Sequence, residues 1–358
     1  MKAPWGKRLR RSGRLLGCAA LLWAAGCATG PKKTAAIFFP LPPDEPRIQY
    51  LTSFSSESDL SEGTSFADFV LGSEKAHRPI WKPYGLTTTP GKLYVCDTQP
   101  ANVGIIDLNK RKIRYLRPEG QGAMQLPINV AVDKDGTRYV TDTKRCQVLI
   151  YGADDSYLGA IGQKGEMKPC GIALAGDRLL VTDLSNHCVR VYAKANRELL
   201  FTVPRTTDEK ARLYQPTNLA VDDQGRIYVS DTGGYAAQVY GPDGTHLRSI
   251  GQMGLTPGNF VRPKGIGVDR QGRVYVVDAA ITVVQVFDNE GRTLMFFGEP
   301  ATSGKGALYL PAGLAIDYDN VHLFQKHAAP GYKIEFLIFV ANQAGPRKVN
   351  VYGFLQKG

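Results

Sequence analysis

The chain has 358 residues, 43% hydrophobic and 22% charged, and its 39 Gly and 22 Pro together make about 17% of the sequence. Average usage of those two residues is roughly 12%, so the balance excludes disorder, collagen and coiled coil and argues for one larger all-β unit with many turns. The net charge of +11 is not a nucleic-acid signal, because Lys2, Lys7, Arg8, Arg10, Arg11 and Arg14 carry six of the eleven charges within the first 26 residues, leaving +5 and no Arg-rich aromatic groove.

Behind that basic leader lies the apolar run Leu15 to Ala25, too short to span a bilayer comfortably and ending in small residues. This is the pattern of a secretory signal peptide over residues 1–26. The ending Ala24-Ala25-Gly26-Cys27 resembles the lipobox of bacterial lipoproteins, which predicts cleavage before Cys27 and lipidation of that residue. Leu15-Leu16-Gly17-Cys18 fits the pattern locally but would leave no apolar run ahead of the cut. Gly13 stands where a twin-arginine signal usually has an aromatic, so Sec export is expected. Ala28 rather than Asp after the Cys implies sorting to the outer membrane. Five prolines between Ala28 and Pro46 make residues 27–46 an extended tether, with the folded domain expected over 47–358.

The domain is a tandem repeat. The segment Pro216-Thr-Asn-Leu-Ala-Val-Asp222, then Gly225-Arg-Ile-Tyr-Val-Ser-Asp231-Thr232, then Gln238-Val239-Tyr240 recurs in copies beginning at Pro83, Pro127, Pro169, Pro216, Pro263 and Pro311, with spacings of 44, 42, 47, 47 and 48 residues. Four-stranded propeller blades repeat every roughly 40–45 residues. In the fifth copy, strands are expected at Gly265 to Val268, Val274 to Val277, Val283 to Phe287 and Thr293 to Phe297, with Gly272 and Gly291 supplying the positive φ of the tight turns. The sixth copy ends at Val349 to Leu355 after three strands, and Arg47-Ile-Gln-Tyr-Leu51 matches the fourth strand of the first copy, Lys112-Ile-Arg-Tyr-Leu116. The expected fold is an all-β six-bladed β-propeller whose N-terminal strand closes the last blade and removes an unpaired edge.

These motifs resemble the NHL-repeat family, most closely at Gly254-Leu-Thr-Pro-Gly-Asn-Phe260 leading into Pro263-Lys-Gly-Ile266 and at Asp183-Leu-Ser-Asn-His187. The layout as a whole is similar to envelope NHL lipoproteins of deltaproteobacteria, a group not defined by an activity. Regular blades, the lack of a converging catalytic set, the tether and one distinctive insertion point to a lipid-anchored envelope propeller that binds another envelope protein without catalysis, with no cofactor expected. Some NHL-type propellers are enzymes, including the lyase that completes peptide amidation with zinc held by three His. The alternative reading is therefore a metal-dependent hydrolase or lyase with its site in the channel.

Repeat register places Asp97, Asp142, Asp183, Asp231, Asp278 and Asn342 around one rim, where they could hold a hard cation or, as Asp at a strand-to-turn junction normally does, accept nearby backbone N–H groups. Asp133, Asp222, Asp269 and Asp317 fall on the opposite-face turns and carry the same two readings. Asn129 and Asn218 replace the repeat's Gly at the inner-strand entry and are the candidate polar channel site, similar in kind to the Glu, Asn and Asp ligands of gluconolactonase-like propellers. Of the five His (His77, His187, His246, His322, His327), only His187 reaches a rim turn, so no three-His zinc site is expected. Four mature Cys besides Cys27 (Cys96, Cys146, Cys170, Cys188) suggest exported disulfides, with Cys146 to Cys170 the favoured pair among the open pairings. A Cys-rich zinc site ranks lower for want of a C-x-x-C knuckle. The sixth copy also inserts Tyr318 to Lys333, with a helix expected from Asn320 to Ala328; Leu323, Phe324 and Tyr332 either anchor a partner or plug the channel mouth.

Overall fold

The computed structural model describes residues 36–41, 43–60, 77–206, 208–298 and 304–357, and the leader with Cys27 lies outside them. Six antiparallel sheets follow one another around an axis, five of four strands and one of five. Blade 5 shows how the sequence builds each sheet. Its strands are Pro263–Val268, Val274–Asp278, Val283–Phe287 and Thr293–Phe297. The two middle strands are buried on both faces, which is why they read as continuous apolar runs. The outer strand exposes Leu294 and Phe296, so its pattern alternates. The turns close with Gly272 at φ +80° and Gly291 at φ +87°.

The hydrophobic core is six apolar layers, one between each pair of neighbouring blades. Tyr228, Val239, Ile266, Val276 and Phe287 fill the layer between blades 4 and 5, for example, and Leu93, Val95, Phe339 and Val351 that between blades 1 and 6. Blade faces are thus buried by their neighbours, and only a closed ring leaves none uncovered.

Closure happens in blade 6, whose sheet runs Ile37–Phe39, Ile48–Phe54, Val349–Lys357, Tyr332–Asn342, Pro311–Asp317 from outside in. The N-terminal strand pairs antiparallel with the C-terminal one, Ile48 opposite Phe354 and Phe54 opposite Val349, as the sequence match predicts. One boundary moves. The compact unit begins at Ala36, and Ile37–Phe39 forms a fifth strand inside the stretch read as tether, with Phe39 buried against blade 5.

The insertion is also shorter than expected. A helix at Val321–Phe324 and a 3-10 turn at Gln325–His327 replace the single helix, and the next strand starts at Tyr332. The insertion packs into the joint between blades 6 and 1, while Tyr318 at its start reaches Arg270 of blade 5 and accepts its N–H at 3.0 Å. Asn320, fully buried, donates to the Thr89 carbonyl at 3.0 Å and accepts the Gly91 N–H at 2.6 Å.

Candidate functional site at the channel and its rim

Each rim carboxylate is a clamp within its own blade. Asp97 accepts the N–H groups of Trp81 and Lys82 at 2.6 and 2.8 Å, Asp231 those of Tyr214 and Gln215 at 2.8 and 2.6 Å, and Asp278 those of Val261 and Arg262 at 2.7 and 3.1 Å. Asp142 does the same for Gln125 and Leu126, Asp183 for Lys168, and Asn342 for Tyr309. All six side chains are buried. Burial pushes the Asp97 and Asp231 carboxyls up; at Asp183 burial is outweighed by the Lys168 N–H, Asn186 and Arg190, so its carboxyl lies low. The recurring Asp thus pins the chain just before each inner strand. Among the described residues no group of three or more His, Cys, Asp or Glu is placed to hold a metal ion. On the opposite face, Asp222 and Asp269 each tie their own turn through an Arg four residues on, at 2.6 and 2.5 Å. Asp133 pairs with Lys194 at 2.6 Å, and Asp317 accepts the N–H of Asn320.

The two channel asparagines do meet. Asn129 on blade 2 donates to Asn218 Oδ1 on blade 4 at 3.0 Å, and each Oδ1 also accepts the N–H of the following residue at 2.9 Å. Gly85 and Gly171 occupy the neighbouring entries because a Cβ there would run into Asn129 and Asn218. The pair floors a cavity of about 320 Å³ that is lined by inner-strand residues such as Leu86, Val130, Ile172, Leu219, Ile266 and Leu314.

On the rim side of that floor stands a ring that repeat comparison did not single out. The residue after each opening Pro is Tyr84, Ile128, Cys170, Thr217, Lys264 or Ala312 in turn. Lys264 of blade 5 donates to the Tyr84 hydroxyl of blade 1 at 2.7 Å, reaching past the small, fully buried Ala312 between them. Its ammonium also lies 4.9 Å from the Tyr84 ring centroid. The Cys170 thiol of blade 3 lies within electrostatic reach of the Tyr84 hydroxyl. Burial and neighbouring Arg262 hold the Lys264 ammonium below the usual lysine range, while burial raises the Cys170 thiol to about 11, so this Cys stays protonated and is no ready nucleophile.

The remaining sequence candidates disperse. His187 sits in a left-handed turn at φ +53° with its ring against the Tyr214 carbonyl, and His246 bonds Gln238 at 2.9 Å near an outer strand. His77 and His322 are exposed, and His327 lies in the 3-10 turn. The expected Cys146–Cys170 disulfide is absent: Cys96, Cys146, Cys170 and Cys188 are all free thiols. Cys146 turns its sulfur to the Thr143 carbonyl at 3.8 Å within its own φ +59° turn, whereas Cys170 faces Tyr84 in the channel mouth. Phe324 is only 8% exposed and belongs to the layer between blades 6 and 1; Leu323 and Tyr332 are partly buried against it. That packing withdraws Phe324 from any surface where it could anchor a partner.

Known structures share this architecture. A protein of unknown function from Bacteroides thetaiotaomicron superposes with a TM-score of 0.62 at 16% identity, over 87% of this chain and 76% of that one. A streptogramin B lyase gives 0.53 at 11% identity, over 77% and 94%, and a chain of the nidogen–laminin complex gives 0.52 at 17%, over 70% and 92%. Shared fold is what these identities show. No family model matches the chain.

Proposed function

We propose that the chain is an exported, lipid-anchored propeller of NHL type that binds another envelope protein through its rim face and catalyses no reaction. The carrying observation is the set of large apolar side chains left in water on the rim connections: Trp81 at 52% exposure, Tyr214 at 48%, Met253 at 70%, Leu255 at 75% and Leu310 at 37%. Trp, Tyr and Met are enriched at interface cores. Trp81 and Tyr214 are held by backbone clamps to Asp97 and Asp231, so docking would cost little ordering entropy. Protein complexes built on the same fold include the nidogen–laminin pair.

The test is affinity capture from crosslinked envelopes with the parent and with Trp81→Ala/Tyr214→Ala. The parent should recover one dominant protein and the variant at least tenfold less of it, while both melt within about 2 °C of each other, since half-exposed side chains contribute little to folding. Equal recovery by the variant would refute docking through this face. Anchoring is tested apart: Cys27→Ser should lose metabolic lipid labelling and release the chain from membranes, and labelling that persists would overturn the lipoprotein reading.

A further inference from the structure

Among the described residues the channel mouth holds a cation without a counter-charge. Lys264 spends one of its three N–H donors on Tyr84, and the groups acting on it are the Arg262 guanidinium and the protonated Cys170 thiol, not a carboxylate. Every nearby rim acid is already engaged. Asp97, Asp183 and Asp278 are buried and accept the N–H groups of Lys82, Lys168 and Arg262, the residues immediately before Pro83, Pro169 and Pro263. Those three side chains are themselves exposed. Blades 1, 3 and 5 thus bring Lys82, Lys168 and Arg262 to the rim above Tyr84, Cys170 and Lys264, whereas blades 2, 4 and 6 carry Leu126, Gln215 and Leu310 at the equivalent positions. Lys168 acts on Cys170 and Arg262 on Tyr84, which puts both within electrostatic reach of the mouth.

A half-buried ammonium without a counter-charge is costly to fold, and the cost is recovered when an anion arrives. We propose that the rim-side mouth is an oxyanion receptor, taking a carboxylate or phosphate group on the Lys264 ammonium and the Tyr84 hydroxyl, with Lys168 and Arg262 closing around it. The hydroxyl accepts from Lys264 and has one proton to give, which it donates to the bound oxygen. This chemistry stands or falls independently of whether a protein docks on the rim.

Thermal unfolding of the mature chain in inorganic phosphate, in succinate and in chloride at matched ionic strength tests it, alongside calorimetric titration with the same two anions. The parent should melt higher in one or both oxyanions than in chloride, as ligand linkage requires. A response to phosphate alone identifies a phosphate ligand, and one to succinate alone a carboxylate. Lys264→Met should melt above the parent in chloride, having lost the uncompensated cation, and gain nothing from either oxyanion. Tyr84→Phe should bind at least tenfold more weakly, which keeps the test open if the Lys264 variant fails to fold. A parent that shows neither stabilisation nor binding heat, or a Lys264→Met protein that responds as the parent does, would overturn the receptor.

Discussion

A chain lacking residues 36–54 should fail to close its ring and should aggregate or melt at least 10 °C below the parent. Those residues supply both outer strands of blade 6. The deletion removes Phe39, Ile48 and Phe54, which are 5%, 0% and 3% exposed. At about 1.5–3 kcal/mol per buried side chain this approaches the whole roughly 5–15 kcal/mol that holds an ordinary domain. It also uncovers Val349–Lys357, whose N–H and C=O groups pair with Ile48–Phe54 from Phe354 to Val349. An uncovered apolar strand edge recruits other chains. A synthetic peptide spanning residues 36–54 should bind the truncated protein and restore a monomer on size exclusion. A truncated chain that stays monomeric without peptide and melts like the parent would reject closure by strand exchange as a stabilising device.

The repeat made the scaffold legible because every blade solves the same problem. The middle strands lie between two apolar layers and the outer strand faces water, so run and alternation appear in fixed order after each Pro, and in blade 5 the third and fourth strands fall on the expected residues. The closing strand was visible through its likeness to Lys112–Leu116, another outer strand with one wet face. Ile37–Phe39 was not, since three residues beside Pro40, Pro42 and Pro43 carry no period and the sheet alone makes them a strand.

Site residues were legible where chemistry recurs and hidden where it varies. The rim Asp repeats because every blade needs the same backbone clamp, and Asn129 and Asn218 stood out against Gly. The ring of Tyr84, Cys170 and Lys264 changes identity at each blade, and its key contact joins residues 180 positions apart. Aligning the repeats and asking which column departs from blade to blade would have found it. Cysteine pairing was not recoverable, because register fixes the face on which a side chain lies and not the direction in which a left-handed turn such as that at Cys146 aims it.

Phe324→Ala should cost about 3–5 kcal/mol, the usual loss for a buried Phe, and leave partner capture intact. Its ring meets Phe339 edge-on at 5.8 Å and 82° within the layer that Leu93, Leu108 and Ile334 complete. The insertion around it is fastened by Asn320 to blade 1 and by Gln49, which donates to the His327 carbonyl and accepts the Ala329 N–H, both at 2.9 Å. A rigidly held segment cannot collapse into the space a missing ring leaves, which puts the loss toward the upper end of that range. At roughly 2–4 °C per kcal/mol the melting temperature should fall by about 6–20 °C. His322→Ala, at an exposed neighbouring position, should change it by less than about 2 °C and controls for helix disruption. The Phe324 protein retains Trp81 and Tyr214 on the rim, so at a temperature where it remains folded it should recover the partner as the parent does. A Phe324 variant that melts like the parent and loses capture would return the insertion to the role of a docking element and displace the rim from it.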